Sequence, residues 1–188
     1  MSSYIFLLYK YSFDIRSLFR DVSAHYKIPI HAGFFSTVGI FLWVAAFTIC
    51  IVTISLLYKN KRKNKFKISF YKYASFLNFL LLLDDQFLLH ERGGNDIFFY
   101  SVYLVITILL ISKLKNIILK KETFYFVFAL FFFFGSIIID LNFLNLFNIY
   151  WVKNILEDIL KFIGICYWLI FFGTISLRIL SEEINFRS

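Results

Sequence analysis

The chain has 188 residues, 60% of them hydrophobic and 22% aromatic, with a formal charge of +8 and a mean hydropathy of +0.75. Soluble domains average about half apolar, so this composition excludes an ordinary soluble globular domain. The charge is no sign of a nucleic-acid partner, because the basic residues sit between apolar runs and form no separate basic domain.

Apolar runs of about 18 residues or more, the length that crosses a hydrocarbon core, recur along the chain. One proline and seven glycines leave little to interrupt helices. The expectation is an all-α integral membrane bundle of about five transmembrane helices, with the lipid bilayer as its surroundings. Before the first span, residues 1–33 form an N-terminal segment. In it Ile5, Leu8, Ile15, Phe19 and Val22 can share one helical face, with Lys10, Asp14, Arg16, Arg20 and Asp21 largely opposite. That pattern suits an amphipathic helix in the membrane interface, or equally a short extramembrane helix packed on the bundle. It is a poor signal peptide, since its apolar run precedes Lys10 and no small-residue cleavage site follows.

The spans are predicted at about Phe34–Tyr58, Phe70–Leu89, Ile97–Ser112, Phe124–Leu141 and Ile155–Leu177. Together they give a transmembrane domain over 34–180 and a short cytoplasmic tail at 181–188. Gly93 and Gly94 are the expected end of the second helix. Cys50 and Cys166 have no CxxC or Cys/His spacing and read as small core residues.

Loop charges set a direction. "YKNKRKNKFK" with Lys72 carries seven basic residues between spans one and two, and "KLKNIILKKE" carries four between spans three and four. The short loops on the other side hold two or three. By the positive-inside rule the N-terminus is extracytoplasmic and the C-terminus cytoplasmic, in a cell membrane. Span two then runs outward and carries Asp84, Asp85, His90 and Glu91 toward its outer end. Span four brings Asp140 there, and span five starts there with Glu157, Asp158 and Lys161. Glu122, Glu182 and Glu183 fall on the cytoplasmic side.

Asp84 stands fourteen residues after Phe70, or roughly 21 Å along a helix, which is about 9 Å inside the outer boundary of a ~30 Å core. A carboxylate at such a depth costs at least ~2–3 kcal/mol unless paired, protonated or hydrated. Asp84 and Asp85 are about 100° apart around the helix and cannot point the same way. One faces a cavity while the other meets a neighbouring helix. Asn78 shares a face with Asp85, and Ser75 lies one turn before Asn78. Glu157 and Lys161 have the i,i+4 spacing of an ion pair, and Lys161, Gly164 and Trp168 continue one stripe on which Gly164 permits close helix approach. Ser136 and Asp140 are one turn apart. The candidate polar site is thus Asp84, Asp85, His90, Glu91, Asp140, Glu157, Asp158 and Lys161.

Several chemistries fit these residues. Carboxylates with a nearby histidine suit a divalent metal ion, for which Asp84, Asp85, His90, Asp140, Glu157 and Asp158 are the ligand candidates. The spacing lacks the HExxH of zinc proteases, and three histidines in all rule out a histidine-rich desaturase. "LLLDDQFLLHE" at 81–91 and "LEDILKFIGICYW" at 156–168, with "FSTVGIFLWVAA" at 35–46, resemble uncharacterised prokaryotic multi-pass membrane proteins with DDxFLLHE and LEDxxKFxGIxxW segments. The resemblance covers most of the chain. It implies no activity, and it points to Asp84, Asp85, His90, Glu91, Glu157, Asp158 and Lys161.

Three functions stay open. The first is a cation- or proton-binding membrane protein, which as a transporter of only five spans would need a homo-oligomer. The second is a metal-dependent hydrolase acting on a lipid or lipophilic substrate. The third is a structural or accessory subunit held to a membrane partner.

Overall fold

The structure, a computed structural model, describes residues 33–60, 64–89, 96–114, 117–118, 120–141 and 150–185. The chain divides into Met1–Phe34 and Phe35–Ser188. The first unit, save its last two residues, lies outside the described residues, and so does the expected interfacial helix.

Five long helices follow one another: α1 (Phe34–Leu57), α2 (Lys65–Phe87), α3 (Asp96–Leu114), α4 (Lys120–Asp140) and α5 (Tyr150–Asn185). A single 3₁₀ turn, Tyr58–Asn60, closes α1. The all-helical membrane bundle expected from composition is what forms. In α1, α3, α4 and α5 length and hydropathy suffice to cross a membrane. Helix α2 is as long, but Lys65, Lys67, Lys72, Asp84 and Asp85 make it more polar.

Helix α2 tolerates its polar residues because it is lined with buried positions. Phe70, Tyr71, Ala74, Leu77, Asn78, Asp84 and Asp85 are all buried. Residues pointing into a bundle do not face hydrocarbon, so charge there needs partners within the protein. The outer surface is the reverse. Phe41, Phe66, Leu104, Ile108, Phe131 and Leu177 are large, apolar and exposed, a surface that only lipid or another apolar partner suits.

Cross-helix contacts show alternating directions. Tyr71 near the start of α2 hydrogen-bonds Ser176 late in α5 at 2.8 Å, while Asp85 at the far end of α2 pairs with Lys161 early in α5. Tyr100 early in α3 reaches Asp140 at the end of α4. Phe35 of α1 meets Phe162, and Cys50 further along α1 meets Asn78. Helix α4 packs most extensively on α5, with Phe126 against Phe171 at 5.0 Å and Phe132 stacked on Tyr167 at 5.7 Å. Gly164 makes that packing possible. A Cβ added there would stand 2.7 Å from the Phe133 ring, as expected of a small residue admitting a neighbouring helix.

Two element ends differ from the sequence reading. Helix α2 closes at Leu88, which takes the left-handed conformation (φ 52°, ψ 49°) and donates its N–H to the Asp84 carbonyl, well before Gly93 and Gly94. Those glycines lie outside the described residues. Helix α5 spans 36 residues, or about 54 Å, far beyond the apolar run Ile155–Leu177. Hydropathy ends where charged residues begin, whereas a helix continues until its hydrogen bonds are interrupted. Cys50 is a core residue as expected, but Cys166 is only half-buried, because successive turns of α5 do not all face inward.

Candidate functional site

The end of the bundle where α2 finishes and α5 begins gathers most of the expected polar residues. Asp84 and Asp85 are 6% and 9% exposed, and their adjacent positions turn them to different neighbours. Asp85 forms an ion pair with Lys161 of α5 and stands beside Gly39 of α1. Asp84 faces a cavity instead, which Tyr103 also lines.

Of the two partners open to Lys161, Glu157 at i,i+4 or an Asp, the structure takes the Asp. The ammonium goes to the more deeply buried Asp85, where an unpaired charge would be costlier. Glu157 is left lining the cavity with no hydrogen bond or ion pair among the described residues. Asp158 lies on an exposed position of α5, off the cavity.

Asp140 is held by two other groups. The Tyr100 hydroxyl donates to its carboxylate at 2.6 Å, and Lys153 Nζ donates to its backbone carbonyl at 2.6 Å. Asp84, Asp85, Asp140, Glu157 and Lys161 thus share one end of the bundle. Direct contacts join Asp85 with Lys161 and Asp140 with Tyr100, and the five do not converge on a single point. Among the described residues no group of three or more His, Cys, Asp or Glu side chains is placed to hold a metal ion. His90 and Glu91 lie outside the described residues, as do His25, His31 and Asn142.

The cavity has a volume of about 420 Å³ and runs from this polar end down between the helices. Asp84, Glu157, Lys161, Tyr100 and Tyr103 form its polar end, with Ser136 further along the wall. The rest is apolar, including Leu77, Leu81, Leu104, Ile108 and Phe133, with the indoles of Trp43 and Trp168 among the walls. Trp168 donates its N–H to Asn78 at 2.8 Å, and Asn78 in turn donates to Cys50 and to the Ala74 carbonyl. The indole N–H of Trp43 is buried with no acceptor among the described residues.

Tyr100, Tyr103 and Lys153 belong to this polar end and are absent from the sequence-derived set. The two tyrosines look like ordinary members of an apolar span. Their signal is the three-residue spacing, which puts both hydroxyls near one face of the turns that enter the membrane beside Asp84 and Asp140.

The opposite end carries a second polar knot. Arg178 donates to both Glu122 carboxylate oxygens at 2.6 and 2.9 Å, to the Ile117 carbonyl at 2.6 Å and to Glu182 at 2.9 Å. Lys67 of α2 also reaches Glu182, at 3.3 Å.

A family model described as a domain of unknown function (DUF8692) matches residues 3–175 of the chain. No curated protein and no solved structure matches it.

Proposed function

We infer that this chain, which belongs to the DUF8692 family, is a membrane-embedded protein that takes up a proton or a cation at the acidic end of its helix bundle. The observation that carries this reading is the arrangement around Lys161. Its ammonium is committed to Asp85, while Glu157 borders the same cavity without a direct partner among the described residues. A carboxylate in a low-dielectric wall needs compensation, and a proton or a small cation is the simplest form of it. A proton is favoured over a metal ion, because Lys161 already occupies the position beside Asp85 that a metal would need.

The loop charges support an extracytoplasmic placement of this end, with the N-terminus outside and the C-terminus inside. On that reading His90 and Glu91, which follow α2 in the sequence, belong to the same site. The DDxFLLHE and LEDxxKFxGIxxW segments would then be the signature of a shared site, since one supplies Asp84 and Asp85 and the other Glu157, Asp158 and Lys161.

The test is proton flux in proteoliposomes under an imposed pH gradient. Flux is expected from the native chain and is expected to vanish in Asp85→Asn and Glu157→Gln, with both variants still folded. Absence of flux under every gradient and counter-ion tried would defeat the reading. Topology is tested separately with Gly94→Cys, which should react with an impermeant maleimide added outside the cell. Labelling only from the cytoplasmic face would reverse the orientation.

A further inference from the structure

A bare proton or metal ion uses only the polar end of the cavity, and we propose that the whole cavity binds a single-chain lipophilic amine, its ammonium at Glu157 and its chain along the apolar body. This proposal rests on the cation-binding reading above and names the class of cation.

Size is the first argument. About 420 Å³ lies in the range of small-molecule sites, which run from roughly 300 to 1,000 Å³, and far exceeds what an ion requires. Access is the second. Leu104, Ile108 and Phe134 line the cavity and are 61%, 56% and 65% exposed on the outer surface. The body therefore opens sideways between α3 and α4, toward the lipid, and a molecule already dissolved in the membrane can enter without crossing water.

Charge selects the head group. The ionisable groups at the polar end are Asp84, Asp140, Glu157, Lys153 and Lys161, with Lys153 seated against Asp140, and Tyr100 and Tyr103 stand beside them. Lys161 is neutralised by Asp85 behind it, so the charge presented to an occupant is negative. A carboxylate or phosphate head would meet Glu157 with like charge, and a neutral head would leave Glu157 without a direct partner among the described residues. An ammonium meets Glu157 directly, with Tyr100 and Tyr103 lining the cavity beside it, and aromatic rings are a common surrounding for organic cations. A further feature of the wall is independent of the acids. Trp43 lines the cavity, is 2% exposed, and its N–H has no acceptor among the described residues. Buried donors are normally satisfied, so an occupant with an acceptor near its head would complete this wall.

Lauroylcholine, methyl laurate and laurate share a chain and a carbonyl acceptor and differ in head charge, so they separate these arguments. Equilibrium binding of each, radiolabelled, is measured to the full chain in nanodiscs of zwitterionic lipid, with empty nanodiscs as the blank. Saturable binding of lauroylcholine is expected, with the neutral and anionic partners weaker by about tenfold or more, the usual worth of a charge-assisted contact. Glu157→Gln should weaken lauroylcholine by a similar factor, and Thr107→Phe, which fills the body from α3, should abolish binding. Both variants are checked for an unchanged melting profile. Equal binding of all three molecules overturns the proposal, as does full lauroylcholine affinity in a folded Glu157→Gln protein. If lauroylcholine fails to bind while pH-driven flux persists, this proposal falls and the proton reading stands. If both are lost, both fall.

Discussion

Asn78 uses its whole amide in the middle of the bundle. Its carbonyl accepts from Trp168, and its nitrogen donates to the Ala74 carbonyl and to Cys50. Replacing it with leucine leaves the Trp168 indole without an acceptor, and the expected loss is about 1 kcal/mol, between the ~0.6 kcal/mol average of interhelical contacts in a membrane protein and the ~1–3 kcal/mol of a stranded buried group. Thermal unfolding of Asn78→Leu measures it, and adding Trp168→Phe should restore part of it. The Asp85–Lys161 pair follows the same logic with charge. Asp85→Asn strands the ammonium, but Lys161 keeps 30% of its side chain exposed, so about 1–2 kcal/mol is expected, below the ~3–5 kcal/mol of a fully buried pair. The double variant Asp85→Asn/Lys161→Met should be more stable than Asp85→Asn alone. Sequence marks Asp85 as anomalous without help, since two adjacent carboxylates follow three leucines. It leaves Lys161 a choice of partner, Glu157 by i,i+4 spacing or an Asp of another helix, and only the packing of α2 against α5 brings Asp85 to it.

Between elements, the contact of α4 with α5 turns on Gly164. A leucine there would have to displace the Phe133 ring, which occupies the space a Cβ would claim. Gly164→Leu is expected to cost about 1–3 kcal/mol, the usual range for overpacking, and Phe133→Ala in the same protein should recover much of that, as a double-mutant cycle of melting temperatures would show. The Lys161–Gly164–Trp168 stripe is legible in the sequence because helical spacing alone defines it. The length of α5 is not, since its polar flanks end the hydropathy signal without ending the helix. Tyr100 and Tyr103 are illegible for a related reason. A tyrosine in an apolar span shows its ring to a hydropathy scale, and its hydroxyl acquires meaning only when Asp140 and Asp84 are found opposite.

Across the whole molecule, charge separates into two ends. Five helices of alternating direction place acids from α2, α4 and α5 together. That grouping is readable from the chain because each span reverses the last. The other end is read only in part, for Glu122 and Arg178 look like solvated loop charges until α4 and α5 are laid side by side. Glu122 is 5% exposed, and Arg178 gives it a bidentate contact. Arg178→Met should therefore cost about 2–3 kcal/mol, whereas Lys67→Met, which loses an exposed contact to Glu182, should cost no more than ~1 kcal/mol. Urea or thermal unfolding of the two variants tests the difference. Raised salt should narrow it little, because screening acts mainly on exposed pairs.

Helix α5 carries both ionic knots on one uninterrupted backbone. Lys161 and Arg178 are seventeen residues apart, or about 26 Å along the axis. A beam pinned at two points cannot turn at one without twisting or dragging the other. If the grip of Lys161 on Asp85 loosens, the resulting roll of α5 arrives at Arg178 on the far face of the bilayer as a torque on Glu122 and Glu182.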